Sequence, residues 1–442
     1  MRNKKNRNDG EGTDEIIIEP DNGEEETAEE DDFEDSVIIP FSRNAEKKNN
    51  SGNKGKRHFS PIRVVIVIVI IFMIVFVAAD VNSGGVFASV NGLITSFFTK
   101  GSAENFSAAT DADSVYDFRA FDNGYAILTE NGISYVNSSG SVSAKQQLTY
   151  SVPAMDISGN RVLIYDRGGT SYSLQRNKSL YAQQSAPYSI IDAAVSSKNN
   201  YALAVAGDNA KTILYGYDSL GNVIYQWDCP DGYITDITLT SGGGKAAAAV
   251  INSSNAVLYS SLYILDFEYD TAYADFTYED ETIIGLKFIS NTKLLVVTDK
   301  YVYLISKKEQ EILYDYSSVD ICYCDIGNGD YTALITTDHS NDEYYSLTVF
   351  GKTGKLLFTA DLTGRVRGLS CSDKFVSVLF SDKIETYTRN GSIGGSISGI
   401  KYFDGIVASG NYVYVLSSEN VKKYPAYGTI SYSEINEEES TD

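Results

Sequence analysis

The sequence predicts an all-β protein built as an eight-bladed β-propeller, and three observations support that fold class. The 442 residues include 33 tyrosines but only 7 prolines. Tyrosine, valine, isoleucine and threonine suit the pleated, half-buried surface of a sheet. A short apolar run recurs eight times, with successive starts 36 to 48 residues apart. Glycine turns follow several of these runs, so each repeat contains several strands rather than one.

The apolar run is interpreted as the second strand of each repeat. Near-continuous apolar sequence is typical of a strand that neighbouring sheets cover on both faces. About ten residues upstream of most copies stands another short apolar segment, which we interpret as the innermost strand. The second strands begin at Tyr125, Arg161, Tyr201, Lys245, Lys293, Tyr331, Phe375 and Tyr412. The innermost strands begin at Val115, Val152, Ile190, Ile234, Ile283, Val319, Val366 and Ile400.

A glycine turn is predicted downstream, in the pattern hydrophobic-x-x-x-Gly-x-hydrophobic. The pattern occurs at residues 136–142, 217–223, 350–356 and 387–393. Glycine supplies the positive φ angle that a tight hairpin turn requires. Each repeat therefore holds about four strands in roughly 40 residues, which is the size of a propeller blade.

Closure of the ring is predicted to use both ends of the propeller domain. The last repeat, from Ile400, supplies three strands, and residues 105–108 are placed to supply the fourth. Radial closure of this kind hides the edges of the sheets. Eight blades is the predicted number. Seven blades is the alternative if the long unit around residues 231–277 is irregular.

A membrane anchor is predicted ahead of the propeller. Residues 64–79 are an uninterrupted run of 16 apolar residues, and Pro61, Ile62 and a snorkelling Arg63 extend it to the thickness of a bilayer. Lysines and arginines precede the run, and Asp80 follows it. The positive-inside rule predicts a single-pass signal anchor over 61–80, with the N-terminus cytoplasmic and the C-terminal domain extracytoplasmic. A cleaved signal peptide ending near residues 77–79 is the alternative, which the long preceding segment disfavours.

Composition and periodicity define the remaining segments. Residues 1–60 are acidic and then basic, with few apolar residues, and are predicted to be a disordered cytoplasmic tail. Residues 81–103 carry one apolar helical face and are predicted to form an amphipathic linker helix. The propeller is assigned to residues 104–430, and an acidic disordered tail to residues 431–442.

Charge and the scarcity of histidine limit the functions that fit the chain. A net charge of −23 disfavours nucleic-acid binding, because phosphate backbones repel a polyanion. His339 is the one histidine of the large domain, so a catalytic triad or multi-histidine metal site would have to be built on it. The cysteines form no Cys-x-x-Cys pair, and a disulfide from Cys371 to another strand is left open. No catalytic residues are predicted.

Three aspartates form the candidate binding site. Asp117, Asp192 and Asp236 occupy equivalent positions in three predicted innermost strands. Innermost strands line the central channel of a propeller, so the three carboxylates are expected to face it. Convergent carboxylate oxygens suit Ca²⁺, which makes a calcium site one interpretation. The alternative is that the aspartates cap turns or accept hydrogen bonds from backbone amides.

Two family resemblances emerge from these motifs. The Asp-x-x-x-Gly turn and following aromatic residue in residues 217–227 resemble the repeat of PQQ-like (quinoprotein-type) propellers, with residues 350–358 as a weaker copy. A basic-flanked anchor followed by VYDFRAFDNGYAILTENGISYV and RVLIYDRGGTSYSL resembles an uncharacterised family of membrane-anchored, PQQ-like or WD40-like propellers from Firmicute-type bacteria, a domain of unknown function. The resemblance covers about residues 60–427 and implies no active residues. The single tryptophan departs from true quinoproteins, whose repeats carry many.

The predicted function is that of a membrane-anchored extracytoplasmic binding or scaffold module for a protein or a cell-envelope polymer. No cofactor is predicted apart from Ca²⁺ at the three aspartates. A quinoprotein-like or other propeller enzyme is an alternative, which one tryptophan and one domain histidine disfavour. A sensor that couples the propeller to the cytoplasmic tail is another alternative. A single span transmits a signal poorly unless the protein oligomerises, and residues 64–79 contain no Gly-x-x-x-Gly face for helix pairing.

Overall fold

The computed structural model describes residues 107–109, 114–208, 210–254, 257–327, 329–338, 344–418 and 420–432. The predicted tail 1–60, anchor 61–80 and linker helix 81–103 lie outside the described residues, as do His339 and residues 433–442 of the predicted acidic tail. Within the described ranges, no helix is long and apolar enough to cross a membrane.

The described residues form eight sheets, antiparallel except for one parallel strand pair in the seventh, which we call blades 1 to 8. The first strand is β1 (Ser107–Ala109). Blade 1 contains β2 (Val115–Phe121), β3 (Gly124–Thr129), β4 (Gly132–Val136) and β5 (Val142–Gln147), and blade 2 contains β6 (Pro153–Ser158), β7 (Arg161–Asp166), β8 (Ser171–Arg176) and β9 (Ser179–Ser185). Blade 3 contains β10 (Ile190–Val195), β11 (Tyr201–Ala206), β12 (Thr212–Tyr217) and β13 (Val223–Asp228), and blade 4 contains β14 (Tyr233–Leu239), β15 (Lys245–Ser254), β16 (Val257–Asp266) and β17 (Ala274–Glu279).

The second half of the ring repeats this arrangement. Blade 5 contains β18 (Ile283–Ser290), β19 (Lys293–Thr298), β20 (Tyr301–Ser306) and β21 (Glu309–Asp315), and blade 6 contains β22 (Asp320–Asp325), β23 (Thr332–Thr337), β24 (Tyr344–Phe350) and β25 (Leu356–Thr363). Blade 7 contains β26 (Val366–Cys371), β27 (Val376–Phe380), β28 (Lys383–Tyr387), β29 (Ile393–Ser398) and β33 (Gly428–Ser431), and blade 8 contains β30 (Gly405–Ser409), β31 (Tyr412–Leu416), β32 (Asn420–Pro425) and β1. The predicted eight-bladed propeller is confirmed, and the long unit around residues 231–277 is a complete blade with an extended hairpin.

Every blade has its first strand at the centre of the ring and its fourth strand at the rim. The first strands of neighbouring blades contact one another, as β2 does with β6 and β30. Because the strand order is the same in all blades, all first strands begin at one side of the ring, which we call the upper face. They end at the opposite side, the lower face. First-to-second and third-to-fourth connections therefore lie at the lower face, and the other connections at the upper face.

The second strands are the most buried elements, as their apolar sequences predicted. All six residues of β23 are buried, as are the first five of β7 and β11. Neighbouring blades cover both faces of each strand, which is why these sequences do not alternate between apolar and polar. Each fully buried Val, Leu or Ile contributes about 1.5–3 kcal/mol relative to an exposed position, so these strands supply much of the hydrophobic stabilisation.

All four predicted glycine turns are present. Gly140, Gly221, Gly354 and Gly391 have φ angles of 86°, 87°, 79° and 82°. Each glycine N–H donates to the carbonyl three residues earlier, as Gly354 does to Gly351 at 2.8 Å. A register shift in the adjoining strand pair follows each turn, as at Val349 and Phe350. The turn and bulge together carry the chain from the third strand to the fourth.

The N-terminal strand closes the ring, as predicted for residues 105–108, and the structure describes this strand as Ser107–Ala109. Ser107 of β1 lies opposite Lys422, and Ala109 lies opposite Asn420, in antiparallel register with β32. Since β32 runs from the upper to the lower face, β1 runs from the lower to the upper face. The chain that precedes Ser107 therefore joins the ring at the lower face.

A C-terminal strand extends blade 7 in a way that the sequence did not predict. Strand β33 pairs in parallel with β29, with Gly395 opposite Gly428 and Ser398 opposite Ser431. A Cβ atom on Gly395 would lie 2.3 Å from the carbonyl oxygen of Ala426. The glycine therefore permits the close approach of this fifth strand. The Thr386 hydroxyl also donates to the Ala426 carbonyl.

One sequence-based expectation is wrong, and one possibility that the sequence left open is decided. The innermost strand of blade 8 begins at Gly405 rather than Ile400. Ile400 is a buried residue of the connection between blades 7 and 8, where Tyr402 has a φ of 65° that interrupts an extended chain. Cys371 forms no disulfide, because all four cysteines are free thiols. Burial raises the pKa of the Cys371 thiol well above its usual range.

Buried tyrosines join neighbouring blades. The Tyr135 hydroxyl of blade 1 donates to Gln175 Oε1 of blade 2 at 2.5 Å. The Tyr414 hydroxyl of blade 8 donates to the Asn123 carbonyl of blade 1 at 2.9 Å, and its ring centroid lies 5.2 Å from that of Tyr125. Such rings combine large apolar area with a polar tip that finds a partner, which explains why this propeller uses so many.

The glycine turns provide a stability test. We expect Gly354→Ala to destabilise the propeller by about 1–2 kcal/mol, because a φ of 79° places a Cβ atom in an unfavourable conformation. The control is Gly244→Ala, where φ is not left-handed and a Cβ would meet no atom within 4 Å. Urea unfolding should show a change within about 0.5 kcal/mol for the control. Equal midpoints for the two variants would contradict this account of the turn.

Candidate functional site at the central channel

Charged side chains from the innermost strands meet at the centre of the ring. The group comprises five aspartates and two cations: Asp117, Asp156, Asp192, Asp236, Asp325, Arg119 and Lys287. Arg119 of blade 1 interacts electrostatically with Asp156 of blade 2 and with Asp325 of blade 6. These interactions reach across the ring and identify the central channel as the shared environment.

The three predicted aspartates occupy one register position. Asp117, Asp192 and Asp236 each follow a β-bulge in the pairing of the first and second strands. A bulge re-aims the side chain that follows it. The equivalent residue of blade 5 is Gly285, where a Cβ would lie 2.0 Å from Ile326 Cδ1. An apolar side chain therefore takes the aspartate's place in that blade.

Most of these aspartates hold the first strand of the next blade. Val195 N donates to Asp156 Oδ2 at 2.7 Å, Ile237 N to Asp192 Oδ2 at 2.9 Å, and Cys371 N to Asp325 Oδ2 at 2.6 Å. Leu286 N hydrogen-bonds to the Asp236 carboxylate. In every case the carboxylate lies in one blade and the donor in the following blade. The aspartates thus act as side-chain links between consecutive blades.

Other residue types make the equivalent link where no aspartate stands. Ser370 Oγ accepts a hydrogen bond from Ala408 N at 3.0 Å, joining blades 7 and 8. Lys287 Nζ of blade 5 donates to the carbonyls of Gly329 and Tyr331 in blade 6, at 2.7 and 3.2 Å. The lysine reverses the polarity of the link, since it is a donor to carbonyl oxygens rather than an acceptor.

Asp192 contacts both neighbouring blades, in addition to the backbone amide of Ala193 in its own strand. Besides the Ile237 amide, it accepts a hydrogen bond from the Tyr165 hydroxyl at 2.7 Å. Arg167 Nη2 lies 3.4 Å from that hydroxyl and donates to it. Tyr165 belongs to the second strand of blade 2, so this contact ties blade 2 to blade 3 at a second point.

Asp117 differs from the other predicted aspartates. Both of its carboxylate oxygens lie 3.0 Å from Arg119 Nε, and Oδ1 also accepts from Phe118 N at 2.9 Å. The Arg119 side chain retains 48% of its accessible surface although it is surrounded by the ring. Charges at such a position are screened by solvent, so the pair itself contributes little stability.

Burial shifts the acid–base behaviour of the channel. It raises the pKa of Asp192 to about 6 and that of Asp236 to about 8. In Asp236, the charges of Asp192 and Asp156 add to the effect of burial. The pKa values of Asp156 and Asp325 are also raised, chiefly by burial. Removing a carboxylate from water penalises its charged form, so the channel holds protons on carboxyl groups at a pH where free aspartate is ionised.

The arrangement matches the structural alternative for the predicted aspartates more closely than a ligand set. Asp192 and Asp236 accept hydrogen bonds from backbone amides, and Asp117 pairs with Arg119. Among the residues that the structure describes, no group of three His, Cys, Asp or Glu side chains could hold a metal ion. Binding of Ca²⁺ at Asp117, Asp192 and Asp236 stays a prediction.

The sequence analysis missed Asp156, Asp325, Arg119 and Lys287. Asp156 stands one residue beyond the apolar segment taken as the inner strand of blade 2, and Asp325 begins a turn in which Gly327 N donates to its Oδ1. One signal was available in the sequence. A charged residue at the end of a short apolar segment, repeated from unit to unit, indicates a side chain directed at a shared centre.

The fold and the channel define the protein's class: an eight-bladed β-propeller whose blades are linked at the centre by polar side chains. The chain belongs to a family of unknown function, DUF5711, whose profile matches residues 96–426. The resemblance to a propeller family of unknown function is thereby confirmed. No curated protein has a significant sequence match.

Several solved structures are similar in fold. BamB from Moraxella catarrhalis is 15% identical, with a TM-score of 0.43, over 73% of this chain and 97% of its own. The C-terminal WD40 domain of Sif2 is 13% identical, with a TM-score of 0.49, over 72% of this chain and 99% of its own. Hydrazine synthase of Kuenenia stuttgartiensis is 11% identical, with a TM-score of 0.42, over 74% of this chain and 99% of its own. These similarities concern the fold alone.

The inter-blade link can be tested at Asp156. We expect Asp156→Ala to lower stability by about 1–3 kcal/mol, because the Val195 amide would lose its acceptor inside the ring. Asp156→Asn keeps an oxygen acceptor in the same place and should be clearly less destabilised. Urea unfolding of the three proteins measures the difference. If the alanine variant were as stable as the asparagine variant, the hydrogen bond would not hold the blades together.

The raised pKa of Asp236 predicts a pH dependence. The folded state binds this proton more tightly than the unfolded chain does, so the contribution of the protonated carboxyl to folding stability is complete below about pH 4. It is lost as the pH rises through the folded pKa of about 8. Asp236→Asn keeps an acceptor for Leu286 N and should be more stable than the wild type at pH 9 but not at pH 4.5.

Melting temperatures across pH 4.5–9 measure this effect. Each kcal/mol is expected to appear as about 2–4 °C in a domain of a few hundred residues. Asp218→Asn is the control, because Asp218 lies in an exposed turn where hydrogen bonds from Asn222 lower its pKa. Its substitution should leave the slope between pH 5 and 9 unchanged. A wild-type slope retained in Asp236→Asn would rule out Asp236 as its source.

Proposed function

We propose that the protein is a membrane-anchored extracytoplasmic binding module that engages a protein or cell-envelope partner through its upper face. The observation that carries this proposal is a set of exposed apolar side chains at that face. They stand at the beginnings of first and third strands and in upper-face connections, and they expose 40–87% of their surface: Tyr116, Val152, Tyr233, Val257, Leu258, Ile284, Tyr344 and Tyr402.

The position of these residues suits a docking surface. Tyr116, Tyr233 and Ile284 lie at the upper ends of β2, β14 and β18, so they surround the upper opening of the channel. Tyrosine supplies a large contact area with few rotatable bonds, and it is enriched at protein interfaces. Their repetition around one opening, on several blades, distinguishes them from single exposed apolar residues, which are ordinary on any protein surface.

The charge of the upper face indicates the chemistry of the partner. Its described connections contain nine carboxylates, namely Glu130, Asp208, Asp231, Asp280, Glu281, Asp299, Asp338, Asp382 and Asp404. They contain five cations, namely Arg167, Lys211, Lys300, Arg365 and Lys401. An acidic face favours encounter with a basic partner. The partner's contact segment should therefore combine cationic and apolar side chains.

The membrane location rests on the sequence. The basic residues before residues 64–79 and Asp80 after them favour a single span with the propeller outside the cell. Anchoring restricts the propeller to the membrane surface, where local concentration favours weak or multivalent contacts.

Cross-linking in membranes tests the upper face. Proteins captured with the wild-type chain should be lost with the variant Tyr233→Ser/Tyr402→Ser, which removes two exposed rings without changing charge. The control is Leu220→Ser/Val223→Ser, whose residues are 75% and 54% exposed at the lower face and the rim of blade 3. Both variants should keep the wild-type melting temperature. Identical capture by all three proteins would contradict binding at the upper face.

A further inference from the structure

A group of cations on the lower face has no role in the proposed function. We call it the lower-face basic patch and define it by six exposed residues: Lys307, Lys308, Lys352, Lys355, Lys374 and Arg389. They occupy the lower-face connections of blades 5, 6 and 7. Three adjacent blades thus present their cations on the same side of the ring.

Few carboxylates balance this patch. The described parts of the same connections contain two acidic residues, Asp330 and Asp373, and the exposed Glu309 directly follows Lys308. Asp330 Oδ2 lies 3.4 Å from Lys352 Nζ. The Lys374 ammonium is bonded to the neutral Asn411 side chain at 2.8 Å, and Lys308 Nζ lies 4.6 Å from the ring centre of Tyr273. The patch is a local reversal of sign in a chain whose net charge is −23.

We propose that the lower-face basic patch rests on an anionic lipid surface. Of the six cations, Lys307 lines a concave pocket beside Tyr273 and Thr292. Because the group as a whole is spread over the turns of three blades, it fits an extended anionic plane better than a small ligand. Five of the six are lysines, whose compact, flexible charges suit the delocalised attraction of headgroups. Leu356 and Ile393 follow two of these turns and are exposed, so they can enter the interfacial region beside the cations.

The path of the chain supports the same occupant. Strand β1 begins at the lower face, so Ser107 lies on the same side of the ring as the patch, downstream of the anchor predicted for residues 61–80. The exposed apolar residues proposed for partner binding lie on the upper face. The two surfaces are separate, and the lipid contact is independent of the partner contact proposed above.

Lysine labelling in nanodiscs tests this inference with the full chain. The protein is reconstituted in discs of zwitterionic lipid and in discs with about 30% anionic lipid, and a water-soluble acylating reagent is applied. Mass spectrometry should show lysines 307, 308, 352, 355 and 374 labelled several-fold more slowly in the anionic discs. Lys211 and Lys300, on the upper face, are internal controls. High salt should abolish the difference, because it screens exposed charges.

Variants separate the lipid contact from other causes of protection. Lys352→Glu/Lys355→Glu should restore labelling of Lys307, Lys308 and Lys374 in anionic discs, since each surface lysine lost weakens attraction about fivefold. Lys211→Glu/Lys300→Glu should leave the protection intact. Equal labelling of the patch in both disc types would overturn the inference. Failure of the wild type to enter either disc would instead refute the proposed anchor.

Discussion

The hydrogen bond between a side chain of one innermost strand and the backbone of the next blade is the interaction on which this propeller depends. Each blade is a complete sheet, so ladder hydrogen bonds fix strands within a blade but not one blade against another. Apolar packing between blades is strong but non-directional. The bonds from Val195 to Asp156, Ile237 to Asp192 and Cys371 to Asp325 add direction. They set the position of each first strand relative to its neighbour.

Placing these links at the centre has an electrostatic consequence. Several carboxylates must share a small, partly desolvated space, where burial raises their pKa values, and in Asp236 the neighbouring charges of Asp192 and Asp156 add to this effect. Arg119 and Lys287 offset part of this negative charge, because the first pairs with Asp117 and the second binds the carbonyls of Gly329 and Tyr331. The channel is therefore occupied by groups that already satisfy one another. A polar network of this kind specifies a unique arrangement when it is fully paired.

Sequence alone predicted the parts of the fold that repeat and the closure of the ring, and it missed two features that occur once. The second strands and the four glycine turns recur with a fixed pattern, so several copies support each assignment. Ile400 was assigned to a strand because, over four residues, the sequence of a buried connection has the same apolar pattern as that of a buried strand. Strand β33 was missed because its pairing depends on Gly395, far away in the sequence. The channel aspartates Asp117, Asp192 and Asp236 were found because they occupy equivalent positions in the aligned repeats. Asp156 and Asp325 stand at other register positions, and only the contacts between blades identify them.

Since the channel side chains are engaged with one another, recognition falls to the two faces and the rim. The faces differ in kind because different connections form them. The upper face holds the starts of the first strands, where Tyr116, Tyr233 and Ile284 expose apolar surface among carboxylates. The lower face holds the tight turns, and its connections in blades 5 to 7 carry five lysines and one arginine. A ring closed at its centre can thus present two chemically distinct surfaces in opposite directions, each set by the turn chemistry of one side of the blades.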